Sequence, residues 1–170
     1  MLSANGVRQL VDVRTIPRSR HNPQFNLEAL RDSLNTAGIA YHHMPGLGGL
    51  RRPRRDSINT GWRNTSFRGY ADYMQTPEFQ ANLEKLITLT GAAPTAIMCA
   101  EAVPWRCHRS LIADALVARG IAVEEIMSAT KIQSHALTSF AKVESHRVTY
   151  PPAGAEQNLT LGFDGSDALR

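Results

Sequence analysis

The sequence predicts an α/β fold: a single domain with a mostly parallel sheet and helices on both faces. Three observations predict it. Short apolar runs alternate with amphipathic segments, the amphipathic segments begin or end on capping residues, and the chain is long enough for one core. Its 170 residues, 42% of them hydrophobic, match one ordinary domain able to bury a core. Helices between strands return the chain to the same edge, so the strands lie parallel and both sheet faces are covered.

Val7 to Val13 reads as a short apolar strand, and Pro17, Asn22 and Pro23 then force a loop. Asn26 is placed to cap a helix whose Leu27, Leu30 and Leu34 recur at helical spacing until Gly38 stops it. Ile39 to Met44 follows as a second strand, completing the spacing of a right-handed crossover unit. Pro45 to about Ser66 is a long Gly-, Pro- and Arg-rich loop, a kind that is usually functional or mobile. Thr76, Pro77 and Glu78 then supply an N-cap, a first-turn proline and an acid beside the helix dipole. Phe79, Leu83, Leu86 and Ile87 form the apolar stripe of that helix, which should end near Gly91. Thr95 to Cys99 reads as a buried strand, Arg109 to Ala118 as a helix stopped by Gly120, and Ile121 to Met127 as another strand. The α/β domain thus spans residues 1–150, and residues 151–170, which lack periodicity, are expected to be a loose C-terminal tail.

Composition narrows the function classes. No apolar run approaches the roughly 20 residues that cross a bilayer, and the first residues lack the basic start and apolar stretch of a secretory signal, so a cytoplasmic protein without a membrane partner is expected. Cys99 and Cys107 are the two cysteines, and they sit in one motif rather than in a disulfide framework. The net charge of +4 is uneven: residues 1–68 hold eleven Arg, no Lys and four carboxylates. Sixteen of the nineteen basic residues are Arg, whose planar fork grips phosphate or carboxylate in two places. An anionic partner for the N-terminal half is one reading, and a solvated basic surface is the other.

Chemistry concentrates at the junction from Cys99 to Arg109. In open α/β sheets, ligands sit beyond the carboxyl ends of the strands, where a following helix points free N–H groups and its positive dipole end. A thiol at that helix start among Arg106, His108 and Arg109 should have a lowered pKa, which makes Cys107 a candidate nucleophile or metal ligand. Cys99, at the strand end, is expected to be the more buried and slower of the two. Three readings compete. In the first, the junction is similar to phosphatase and sulfurtransferase loops, although six residues separate Cys99 from Arg106 where that pattern has five and Glu101 would repel an anion. In the second, Cys99, Glu101, Cys107 and His108 hold zinc or iron. In the third, the cysteines are structural and Glu101 pairs with an Arg.

The first strand ends similarly, in Asp12-Val-Arg14, followed by a loop carrying Arg20. Both motifs should open on the same edge of the sheet, so that Asp12, Arg14, Arg20, Glu101, His108 and Arg109 could line one polar crevice. A structural ion pair of Asp12 or Glu101 with one Arg is the alternative. Of His42 and His43, which alternate across the second strand, one must face inward or toward the crevice. The loop from Gly46 through Arg51 to Arg55 offers backbone N–H groups and Arg forks to phosphates, and its Arg51 to Arg55 stretch is expected to be mobile without a partner. Trp62, Phe67, Tyr70 and Tyr73 beside it suit base stacking, or else pin the loop down.

Several ordered motifs carry a family resemblance. They are Val11-Asp-Val-Arg14, Pro17-Arg-Ser-Arg20, Asn22 to Asn26, Leu47-Gly-Gly49, Ser66 to Tyr73, Cys99-Ala-Glu101 and Cys107-His-Arg109. Over about Val7 to Tyr150 the chain resembles the domain of unknown function 488 family. The resemblance implies a small α/β domain of bacterial type and no agreed reaction. It also implies a further strand and helix ahead of the Val-Asp-Val-Arg strand, so an edge beside Val7 to Val13 is expected to lie open and to favour pairing with a second copy.

The leading functional expectation is an enzyme or sensor that binds a small anionic or nucleotide-like ligand. Arg14, Arg20 and Arg109 would grip the anion, Glu101 or Asp12 would carry a proton or orient an Arg, and Cys99, Cys107 and His108 would be reactive or metal-binding. The alternatives are a nucleic-acid-binding accessory domain using Arg51 to Arg55, and a Cys/His/Glu metal site. No cofactor is assigned.

Overall fold

A computed structural model describes residues 1–154. The central sheet has three parallel strands in the order β2-β1-β3, formed by Gln9–Asp12 (β1), Ala40–His43 (β2) and Thr95–Met98 (β3). Helix α1 (Leu27–Thr36) joins β1 to β2. Helices α2 (Thr65–Tyr73) and α3 (Pro77–Ala92) lie between β2 and β3, and α4 (Arg109–Val117) follows β3.

Alternation along β1 explains the two apolar clusters. Leu10 joins Val7, Leu30, Leu34 and Ile39 in a small cluster with α1. Val11 and Val13, pointing the other way, enter the main core with residues of α2, α3 and α4. β1 is therefore apolar on both faces, as a central parallel strand must be.

This topology corrects the expected open edge. β1 is hydrogen-bonded to β2 on one side and β3 on the other, so no unpaired edge runs beside Val7 to Val13. The strand expected over Ile121 to Met127 is also corrected. Only Glu124–Ile126 (β4) is extended, and it pairs antiparallel with Ile132–Ser134 (β5) instead of joining the parallel sheet. A short turn can close a hairpin locally, whereas joining the sheet requires a crossover, and the local partner won. A second hairpin, Lys142–Glu144 (β6) with Arg147–Thr149 (β7), turns on Ser145 and His146, both at positive φ.

Three capping details matter. Thr76 caps α3 as its spacing predicts, accepting from the Phe79 N–H. Asn26 precedes α1 but makes no side-chain cap, because its Oδ1 accepts from the Ser19 N–H and so ties down the preceding loop. Helix α2 falls where no helix was expected; its cap is Asn64, whose side chain accepts from the Ser66 and Phe67 N–H groups. Val148 and Tyr150 are buried in the main core, which brings the chain back against α4. Of the expected loose tail, residues 155–170 lie outside the described residues. No described helix is long and apolar enough to cross a membrane.

Candidate functional site

Because β1 and β3 are adjacent and parallel, the Asp12-Arg14 and Cys99-Arg109 segments leave the same carboxyl edge of the sheet. The loop after β2 and the first residues of α2 close over them. Together they enclose an open cavity of about 360 Å³. Its walls include Arg14, Ile16, Leu50 and Phe67, with Cys99, Glu101, Arg106, Cys107 and His108 on the side of the junction.

At the junction the donor atoms of Cys99, Cys107 and His108 all lie within 4.8 Å of one another. His108 Nδ1 stands 3.8 Å from Cys99 Sγ and 3.7 Å from Cys107 Sγ. Its ring lies against Tyr70, with centroids 4.9 Å apart, and is held from the other side by Gly49. A Cβ on residue 49 would fall 2.5 Å from His108 Nδ1, so the backbone there approaches too closely for any side chain. His108 Nε2 is buried and finds no partner among the described residues.

The two thiols are driven apart electrostatically. Cys107 is lowered to about 6, first by the hydrogen bond from Cys99, against the opposing effect of burial, and then by donors from Arg109. Cys99 is pushed up to about 12, because it supplies that hydrogen bond and because it is partly buried. The arrangement therefore favours the thiolate on Cys107 and the thiol on Cys99. The expected order of burial is reversed: Cys107 is buried and Cys99 half-buried, although both line the cavity.

The other expected residues divide. Arg109 lies beside the cluster, its Nε donating to Cys107 Sγ at 3.4 Å and its Nη2 to the Glu101 carbonyl at 2.6 Å. Glu101 contributes to the cavity wall but is not among the converging donors. Asp12 is fully buried and does not line the cavity; its carboxylate receives Nε and Nη2 of Arg14, the Arg14 N–H and the Tyr41 hydroxyl. Burial would raise the Asp12 carboxyl, but these donors outweigh it and hold it below its ordinary value. Arg20 is exposed and stands apart from the cavity. His43 turns its Nε2 to the Arg14 carbonyl and His42 its Nε2 to Gln9 Oε1, so both strand histidines have protein partners.

The arginine-rich loop is tied to the fold at several points. Arg51 stacks over Tyr73, 3.5 Å from the ring centroid, and donates to the carbonyls of Gly46 and Gly48. Tyr70 and Tyr73 donate to the carbonyls of Leu47 and Gly46. Buried Asp72 accepts from Arg54 N–H, Ser57 Oγ and Asn59 Nδ2. Trp62 packs on Phe67, Phe140 and Tyr150 rather than standing free to stack on a base. Asp72 and Gly49 stand inside the Ser66 to Tyr73 and Leu47-Gly-Gly49 motifs, but sequence reasoning assigned neither an individual role; the Gly48-Gly49 pair was the available signal for a close backbone approach.

The family model described as Domain of unknown function DUF488 matches residues 1–116, which include every residue of this junction. The chain belongs to that family. The match starts earlier than the resemblance read from Val7 and stops short of Tyr150, leaving both hairpins outside the DUF488 segment. No curated protein and no solved structure gives a significant match to the chain.

Proposed function

We propose that the cavity houses a mononuclear transition-metal centre, zinc by its donor set, held by Cys99 Sγ, Cys107 Sγ and His108 Nδ1. One observation carries the reading: three soft or borderline donors converge within 4.8 Å on the wall of an open cavity. Bond lengths of about 2.3 Å for Zn–S and about 2.0 Å for Zn–N imply S-to-N edges of about 3.5 Å in a tetrahedron. The two sulfur-to-nitrogen separations, 3.8 and 3.7 Å, are close to that figure without a change of fold. The hydrogen bonds from Cys99 and Arg109 favour the thiolate at Cys107, the form a metal needs.

Coordination at Nδ1 sends the ring proton of His108 to the buried Nε2. An unsatisfied buried N–H costs about 1–3 kcal/mol, small against about 10–16 kcal/mol for zinc held by a protein site. Three protein ligands leave the fourth position to water or a substrate, which is the arrangement of catalytic rather than structural zinc. The ligand entering from the cavity would meet apolar walls at Ile16, Leu50 and Phe67 and a guanidinium at Arg106. That combination favours a small organic molecule bearing an acidic group.

The test is anaerobic titration of the reduced full chain with Co²⁺ and Zn²⁺. The expected result is one metal per chain, a thiolate-to-cobalt absorption band, and loss of both in Cys99→Ala and His108→Ala. Absence of a saturable one-to-one complex in the wild-type chain would sink the reading.

A further inference from the structure

We infer that in the metal-free chain Cys107 and Cys99 act as a dithiol that reduces an organic hydroperoxide. This second chemistry does not require that the metal reading hold. It rests on three arrangements.

The two sulfurs lie within 4.8 Å of each other, each facing the same imidazole nitrogen, and both residues line the cavity. A disulfide needs sulfurs about 2.05 Å apart, so the closing movement is about 3 Å at most. The chain between them has no helix or strand beyond the short turn Pro104–Arg106, so the movement requires no regular element to shift, although it works against the Arg109 hydrogen bonds to the Glu101 and Ala102 carbonyls. Second, the Arg109 guanidinium donates to Cys107 Sγ and not to Cys99, which makes Cys107 the attacking sulfur and leaves Cys99 to resolve. Third, Ile16, Leu50 and Phe67 on the cavity wall suit a peroxide with an apolar body.

The steps balance as follows. Cys107 Sγ, as thiolate, attacks the distal oxygen of ROOH; an S–O bond forms, the O–O bond breaks, the distal OH stays on sulfur as a sulfenic acid, and the alkoxide leaves as ROH with a proton from solvent. Cys99 Sγ then attacks that sulfur. The S–S bond forms, and the hydroxyl leaves with the Cys99 proton as water. Two thiols lose two electrons in total, and the hydroperoxide gains them.

The experiment uses the reduced full chain, freed of metal with a chelator, and one equivalent of cumene hydroperoxide at pH 7. Free thiols should fall from two per chain to near none, with a Cys99–Cys107 link within one chain in the peptide map and no new disulfide-linked dimer on a non-reducing gel. The folded chain should react roughly tenfold or more faster than the same chain in urea, since an ordinary thiol lacks the Arg109 donor. Cys99→Ser should accumulate a Cys107 sulfenic acid that dimedone labels, whereas Cys107→Ser should leave Cys99 unlabelled. Persistence of both thiols, links only between chains, a folded rate no greater than the unfolded one, or labelling of Cys99 in Cys107→Ser would each overturn the inference. The wild-type peptide map and rate decide the matter even if a serine variant fails to fold. Since no metal is present at any stage, failure of zinc to bind would leave these outcomes unchanged.

Discussion

The guanidinium of Arg109 reaches back across two residues to the sulfur of Cys107, Nε to Sγ 3.4 Å, while its Nη2 holds the Glu101 carbonyl. One side chain thus stabilises the thiolate and fastens the turn that carries it. Iodoacetamide alkylation of Cys107 in the metal-free chain should therefore show an inflection near pH 6 and slow as pH falls through it, because protonation removes the nucleophile. Cys99→Ala, which removes the largest stabilising hydrogen bond, should move the inflection upward, and Arg109→Met should do so to a smaller extent. Wild-type alkylation that begins only above pH 8 would contradict this.

Gly49 is the back wall of the His108 ring. Gly49→Ala should push the imidazole away from the sulfurs and weaken zinc binding by about 10–100-fold, the range seen when a ligand's supporting contact is lost. Competition against a chromophoric chelator measures the affinity, and the thiol count should stay at wild type. Unchanged affinity would mean that His108 is not a ligand.

The buried pair of Asp12 and Arg14 is expected to act on stability first. Arg14→Met leaves a carboxylate with no exposure and no counter-charge, which should cost about 3–5 kcal/mol in denaturant unfolding. Asp12→Asn combined with Arg14→Met should recover part of that cost. The Asp12 carboxyl is held below its unfolded value of 3.8, so the stabilisation is present above that value and disappears as pH falls through the lower folded one. A double variant no more stable than Arg14→Met would refute the pairing argument.

His135 bridges two carboxylates, Nε2 to Asp114 and Nδ1 to Glu125, both at 2.9 Å. Both ring nitrogens can donate only if the imidazole is charged. The hydrogen bond to Asp114 raises its pKa most, burial opposes, and Glu125 raises it further. A raised folded pKa means that the stabilisation is full below the unfolded value of 6.5 and is lost as pH rises through the folded one. Asp114 also accepts from Tyr150 Oη and the Thr138 N–H, so the clamp fastens the C-terminal segment to α4. His135→Ala should lower stability by about 2–4 kcal/mol at pH 6 and by less at pH 9. Equal losses at both values would show that the bridge carries no charge.

Local pattern was enough for much of the fold. Leu30 and Leu34 mark the buried side of α1, Thr76 and Pro77 start α3, and the apolar runs at β1 and β3 name the central strands. Helix α2 escaped because its residues are polar enough to look like loop, and its burial comes from the β2 loop folding back on it. A Cβ at Gly69 would meet the Arg51 carbonyl at 2.5 Å, a contact between segments 18 residues apart. The hairpins escaped because their strands are three residues long and mostly exposed.

By itself the sequence determined that chemistry gathers at Cys99 to Arg109 and that a strand end and a helix start would present it, because propensity, capping and periodicity are local. The tertiary structure decided which of those groups meet. It paired Asp12 with Arg14, left Arg20 in solvent, and kept Glu101 on the cavity wall outside the converging donors. It also brought the imidazole of His108 between two sulfurs under a glycine from a distant loop. Distances of a few ångströms between segments far apart in the chain depend on strand order and on the packing of α2 and α4, and no local pattern encodes them.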